Sequence, residues 1–544
     1  MMTSHLTIHL QTTLLATLLL NHVIGSIAST PPSSGLSQSP PAVVYDGTCE
    51  LSACDVLQTV RREASETAAQ LKAKSWQDDG DSLEWRMQRL ERRLRSVEQP
   101  VWTRTDDVDR WYRCCEGPCR CRPETLALSC WRLELVELPS QQVVPSDIRS
   151  IDLGINQIRS LNKDAFEGLE KLNELDLFDN QIDFLPAVLF DNLEGLVKLR
   201  LHRNRIEELH PKQFHKLVNL EILDLSTNSI RQLFDDQFEG TPRLQLLIIS
   251  GNSLENLPAN VFRHLGKLEE LDLSGNVLSD IPPGTFQGLV SLKRLKISEN
   301  RIKQLPPDVF RDLRYLDYLS LRRNQLTFLR PGLFDSLRHV TFLELTGNWI
   351  STLGGQEFIR LVSVRELHLE QNYVERLPEG LFRNCGQLEK LYLFSNNLQR
   401  LEAGAFVGLH NLTTLLLNNN VINFMGHTVF EPLKSLKKLQ LDSNKFQFLP
   451  ADCLNFIPNL VSMKLAKNPW HCDCNILYLA NWLRNNSAIV WDSPPTCRGP
   501  GDLGGKPLDQ MTFDDLCDGQ WASMTRLTPR IPVKTEQQKM ILGV

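Results

Sequence analysis

Residues 172–182 read Leu-Asn-Glu-Leu-Asp-Leu-Phe-Asp-Asn-Gln-Ile, the frame LxxLxLxxNxI. Leu175 and Leu177 flank the polar Asp176, which is the period of a strand with one buried side. The frame returns at Leu268, Leu271, Leu273, Asn276 and Leu278. Its asparagine recurs at Asn156, Asn180, Asn204, Asn228, Asn252, Asn276, Asn300, Asn324, Asn348, Asn372, Asn396, Asn420, Asn444 and Asn468, each step being 24 residues. Globular domains stop growing near roughly 250 to 300 residues unless they repeat. Repetition is therefore how this chain of 544 residues builds a core.

Two further positions complete each turn of the repeat. An apolar residue stands five past the asparagine, from Leu161 and Leu185 to Leu449, and phenylalanine stands ten past it in twelve turns, from Phe166 to Phe430. No single turn can bury its own apolar side, so the turns must stack. Stacking at one strand spacing, roughly 4.8 Å, would align the phenylalanines in a spine behind a parallel sheet. The asparagine amide is expected to turn inward and bond backbone groups of its own and adjacent coils, because buried unpaired peptide groups are costly. Strands on one side and bulkier material on the other make the stack curve, with the concave sheet as the natural binding surface.

The pattern resembles the extracellular leucine-rich-repeat family over residues 140–467. The resemblance implies a curved, right-handed α/β-type leucine-rich-repeat solenoid, with a parallel β-sheet on its concave face and cysteine-rich modules at both ends. Residues 114–139 carry Cys115, Cys119, Cys121 and Cys130 as CxxxCxC(x8)C, similar to the family's N-terminal flanking module. That similarity implies Cys115 with Cys121 and Cys119 with Cys130. A zinc site from the same thiolates is the alternative, though such sites prefer paired CxxC spacings. Residues 468–517 open with NPWHCDCN and continue to Cys497 and Cys517, similar to the C-terminal flanking module. Here Cys472 with Cys497 and Cys474 with Cys517 are implied.

Residues 1–29 hold the apolar run Leu6–Ile27 followed by small residues and are expected to be a signal peptide, with a signal anchor as the rival. Secretion to the extracellular space or matrix is the expected localisation, and thirteen cysteines then read as disulfides before metal ligands. Cys385 and Cys453 replace core aliphatics and are expected to be buried thiols. Cys49, Cys54 and Cys114 form an odd set, one of which is expected to join a second chain. Asn411 and Asn485 open glycosylation sequons.

A Pro/Ser-rich linker is expected over residues 30–44 and a disordered tail over 518–544. Residues 45–113 carry two helical stripes: Leu57, Val60, Ala64, Thr67 and Leu71, then Leu83, Met87, Leu90, Leu94 and Val97 in 4-3-4-3 spacing. Three readings stay open: helices folded on each other or on the cap, a self-association segment, or a sulfated-glycan site at Arg86, Arg89, Arg92, Arg93 and Arg95.

On the concave face, residues four, two and one before each asparagine can be read off. Phe178, Arg200, His202 and Arg203 gather near one end, and Arg322, Arg323, His368, Glu370, Tyr392 and Phe394 toward the other. Aromatic residues and arginines carry most interface energy, so an extracellular protein ligand or receptor is the expected partner, with Tyr392 and Phe394 as the first anchors. A net charge of -6 gives no bulk preference for nucleic acid, and no later segment approaches a membrane span. No catalytic motif is present; the recurring carboxylates Asp152, Asp176, Asp224 and Asp272 occupy equivalent repeat positions, whereas catalytic pairs need unlike environments. No catalytic residue, cofactor or metal is expected. A scaffold or carrier subunit of a secreted complex is the alternative function.

Overall fold

A computed structural model describes residues 80–107 and 109–518. The expected signal peptide, the linker, the first helical stripe, Cys49, Cys54 and the tail from residue 519 lie outside the described residues.

Each coil contributes a three-residue strand such as Glu174–Asp176 or Arg294–Lys296, its central leucine buried and its two flanking residues facing out. These triplets join one sixteen-stranded sheet. Its first pair, Arg120–Arg122 with Ala127–Ser129, is antiparallel; every later pairing is parallel, through Ser462–Lys464. Register follows the repeat, with Leu271 opposite both Leu247 and Leu295. The chain returns to the next strand through turns, with a single 3-10 turn at Cys453–Phe456 among the described residues of the coils.

The asparagines do what the buried backbone requires. Asn300 Nδ2 donates to Leu273 O of the preceding coil at 3.1 Å and to Ile297 O of its own at 3.3 Å, while its Oδ1 accepts from Leu278 N at 3.1 Å. The same bonds repeat from Asn180 to Asn468.

Behind the sheet the phenylalanines form a column, but not at strand spacing. From Phe190 to Phe382 successive ring centroids lie 6.0 to 6.4 Å apart with near-parallel planes. Strands hydrogen-bonded in front are held at roughly 4.8 Å. The wider spacing behind is the curvature itself: ring thickness and return turns set the rear, ladder hydrogen bonds the front.

Both ends of the core are covered. At the start, Trp102 is buried edge-on against Phe166, centroids 6.1 Å apart, and Thr103–Thr105 pairs with Val143–Pro145. Cys115 is bonded to Cys121 and Cys119 to Cys130. At the far end Trp470 stacks on Phe446, and Asp492 accepts from Leu465 N and Ala466 N just beyond the last strand. Cys472 is bonded to Cys497 and Cys474 to Cys517.

Of the three cysteines in the odd set, only Cys114 lies among the described residues. It lies in the short helix Arg110–Cys115 and is 0% exposed, and Gln142 Nε2 donates to its carbonyl at 2.8 Å. Burial pushes its thiol up to about 11, against a smaller opposing hydrogen bond from Gln142. A thiol so enclosed cannot reach a second chain unless the cap opens. Cys385 and Cys453 are buried thiols within the coils, each pushed up to about 12 by burial.

The second helical stripe forms a helix, α1 (Gly80–Val97), which docks on the flank of the first coils. Arg92 Nη2 donates to Glu207 at 2.8 Å, Arg95 Nη1 to Asp183 at 3.1 Å, and Arg89 Nε lies 3.4 Å from Glu208. Near its end Ser96 Oγ donates to Leu161 O at 2.6 Å, and Asn162 Nδ2 donates to the carbonyls of Val97 and Gln99. Of the five arginines expected to meet a sulfated glycan, Arg89, Arg92 and Arg95 face carboxylates of the same chain.

Candidate binding face

The open side of the sheet is lined by the two residues flanking each buried strand leucine and by those just before each asparagine. The residue immediately before the asparagine has positive φ in every coil, from Ile155 at 55° to Lys467 at 57°, with glycine at 251, 275 and 347. This bend carries the chain off the strand. Arg203 and Arg323 sit on it, φ 55° and 50°, so their side chains leave from the rim of the face.

Near the N-terminal end Phe178 stacks on His202, centroids 4.9 Å apart. Gly154 makes the room: a Cβ there would lie 2.4 Å from the Phe178 ring. The charges beside this pair are spent on one another. Arg200 Nη1 bonds both Asp176 oxygens at 2.8 and 2.9 Å, His202 Nδ1 lies 3.3 Å from Asp224, and Arg203 lies 3.9 Å from Asp179.

The larger constellation spans the coils of Asn324 to Asn396. Tyr318 stacks on Phe342 at 4.6 Å, Phe342 meets His368 at 5.0 Å with a tilt of 43°, and His368 stacks on Tyr392 at 4.2 Å. Four rings from four consecutive strands thus make one row across the sheet. His368 and Tyr392 were among the residues read from sequence; Tyr318 and Phe342 were not. Both stand six before their asparagine, directly ahead of the buried strand leucine, so the strand period carried the signal. Phe394 lies two residues beyond Tyr392 in the same coil, part-buried.

Polar partners lock the row. His368 Nε2 is 3.0 Å from Glu366 and Nδ1 is 3.1 Å from Glu370, which also accepts from Thr346 Oγ1 at 2.9 Å. Lys390 Nζ donates to Glu366 at 3.1 Å. Burial alone would lower the pKa of His368, but the hydrogen bonds and charges of Glu370 and Glu366 outweigh it and hold the imidazolium above its ordinary 6.5. Burial, with the same two carboxylates nearby, pushes the Tyr392 phenol up to about 12, so it stays protonated. On the near side Ser320 Oγ donates to Glu344 at 2.6 Å, Arg322 Nε lies 3.9 Å from Glu344, and Arg323 is paired with Glu299 at 3.0 Å. The arrangement can present fixed aromatic edges and hydroxyl tips. Among the described residues no cluster of three or more His, Cys, Asp or Glu side chains is arranged to hold a metal ion. Asn411 and Asn485 are both exposed, the first with its amide donating to Gly386 O at 2.9 Å.

Comparison with known proteins agrees with the geometry. The family model described as leucine rich repeat matches residues 146–206, 194–254, 242–302, 291–350, 362–422 and 410–469. Mouse SLIT and NTRK-like protein 5 is 30% identical over 82 residues, 15% of this chain and 9% of that protein. Human carboxypeptidase N subunit 2 is 35% identical over 58 residues, 11% of each. The matched stretches thus span about a tenth of these curated relatives. Among solved structures, a Leptospira interrogans LRR protein superposes with a TM-score of 0.58 at 24% identity, over 72% of this chain and 100% of that one. The Drosophila Toll–Spatzle complex gives 0.51 at 22%, over 68% of this chain and 61% of the other. Among the described residues no helix is long and apolar enough to cross a membrane. With the family model covering more than half of its residues, the chain belongs to the leucine-rich-repeat family.

Proposed function

We propose that this chain is an extracellular protein-binding module that grips a protein ligand or receptor on its concave face, at the coils of Asn324 to Asn396. The observation that carries the reading is the row Tyr318, Phe342, His368 and Tyr392, fixed by Glu366 and Glu370 before any partner arrives. Side chains already held in place lose little entropy on binding, and aromatic groups are the usual interface anchors. Secretion is supported by the apolar stretch Leu6–Ile27 and by the four disulfides among the described residues, which suit an oxidising compartment. The fold is typically a non-catalytic binding fold, and the solved relatives include complexes such as Toll with Spatzle. The likeness to a protein named as a subunit, carboxypeptidase N subunit 2, favours a second reading, a carrier within a secreted complex.

The test is affinity capture from native extracellular fluid on immobilised wild-type chain, on Phe342→Ala with Tyr392→Ala, and on Phe178→Ala. A protein retained by wild type and Phe178→Ala but lost from the double variant supports the reading. Equal retention by all three refutes the site, and co-purification of one client at fixed stoichiometry, indifferent to all three, favours the carrier.

A further inference from the structure

A surface helix normally buries its apolar stripe and leaves its charges to water. α1 does the reverse. Its basic face meets Asp183, Glu207 and Glu208, while Met87 is 41% and Val97 44% exposed. Leu90 and Leu94 are part-buried and, among the described residues, do not belong to the set packed on the solenoid core.

Set in heptads, the helix explains this inversion. Met87 and Leu94 fall at a, Leu90 and Val97 at d, and Leu83 extends the series in sequence. The docked Arg89, Arg92, Arg95 and Ser96 fall at c, f, b and c, the positions a coiled coil leaves outside. The flanks are sorted by sign: Glu84, Glu91 and Glu98 occupy e, and Arg86 and Arg93 occupy g.

We propose that α1 is one strand of a parallel two-stranded coiled coil made with α1 of a second copy of this chain. In a parallel pair each g residue faces the e residue of the following heptad across the seam. Arg86 then meets the partner's Glu91, and Arg93, which already has an interaction within its own chain, comes beside the partner's Glu98. In an antiparallel pair g faces g and e faces e, setting Arg against Arg and Glu against Glu. The charge pattern therefore chooses both the occupant and its direction. An isolated helix of 18 residues is marginal in water. Here ion pairs and the Ser96 hydrogen bond already hold it against the solenoid, so much of its ordering cost is met before association. The dimer would carry two concave faces, and bivalency raises avidity without any new contact.

Sedimentation equilibrium on the full chain, with a non-reducing gel of the same samples, tests this. Wild type is expected to form a reversible, non-covalent dimer, and Leu90→Glu with Leu94→Glu a monomer. The charge variants Arg86→Glu with Arg93→Glu, and Glu91→Arg with Glu98→Arg, should each dimerise at least about tenfold more weakly alone. Mixed one to one they should recover wild-type affinity as a heterodimer, which a misfolded variant cannot do. A chain that stays monomeric at all concentrations overturns the proposal, whether its stripe is covered by residues 57–71 or by nothing. So do a dimer indifferent to Leu90→Glu with Leu94→Glu, a disulfide-linked dimer, a trimer, or charge variants that fail to rescue each other.

Discussion

At the scale of single residues, the bend before each asparagine shows what the repeat demands of its backbone. Gly275 holds φ at 66°, and an added Cβ would meet nothing closer than Gly251 N at 3.4 Å. Gly275→Ala is thus expected to cost about 1 kcal/mol from the left-handed conformation alone, read as a small shift in urea midpoint with the circular dichroism spectrum unchanged. A loss of several kcal/mol would mean that packing, not backbone, is at stake. His368 gives a pH-dependent counterpart. Its folded pKa is raised, so its contribution to stability is full below 6.5, the ordinary value, and is lost as pH rises through the folded value. Glu366 is the opposite case: burial raises its pKa, but Lys390 and His368 outweigh that and hold it below 4.5, so its contribution is full above 4.5 and lost as pH falls. Both are in force between 4.5 and 6.5. The difference in unfolding free energy between wild type and His368→Gln should therefore be larger at pH 6 than at pH 8. A difference that grows toward pH 8 would show that the imidazolium is not what the two carboxylates hold.

At the scale of elements, each strand, bend and ring belongs to a series running across coils. Phe310 packs between Phe286 at 6.4 Å and Phe334 at 6.2 Å and is fully buried. Phe310→Ala is expected to cost about 3 to 5 kcal/mol, appearing as faster hydrogen exchange in the coils of Asn276, Asn300 and Asn324 and fading beyond them. Uniform acceleration along the whole solenoid would argue against nearest-neighbour coupling. These series were legible in the sequence because 24-residue spacing forces one environment on each position, so Asn300 or Phe310 could be placed before any coordinate. The left-handed bend was not read, since only three of its fourteen residues are glycine. The aromatic row was half legible: Tyr392 and His368 lay at positions counted as facing out, whereas Tyr318 and Phe342 stood one strand step earlier. The docked face of α1 was not legible at all. It depends on Asp183, Glu207 and Glu208, which lie about a hundred residues away in sequence, and local periodicity pointed to the apolar stripe instead.

For the whole molecule, stability is expected to be roughly a sum of coil terms and interfaces between neighbouring coils, so what must be preserved is phase rather than length. Residues 253–276 form one full period, from just after Asn252 through Asn276, in the part of the concave face lined by Ser250 and Ser274. Deleting these 24 residues joins Asn252 to Val277, and the strand, asparagine and phenylalanine series all resume in step. Each neighbour then meets an equivalent surface: Leu247 pairs with Leu295 as it did with Leu271, and Phe262 is replaced in the column by Phe286. Deleting residues 253–275 instead, only one residue fewer, leaves an extra residue at the junction of two coils. That residue must be absorbed by a bulge or by turning one coil's leucines toward solvent, and either breaks the continuous core. The 24-residue deletion is expected to yield a folded, shorter solenoid that keeps the Tyr318–Tyr392 row and whatever it captures, with a modest fall in melting temperature. The 23-residue deletion should melt in two separate transitions or aggregate. Equal melting curves for the two would mean that the coils do not share one core, and the reading of this chain as a phased stack would fail with it.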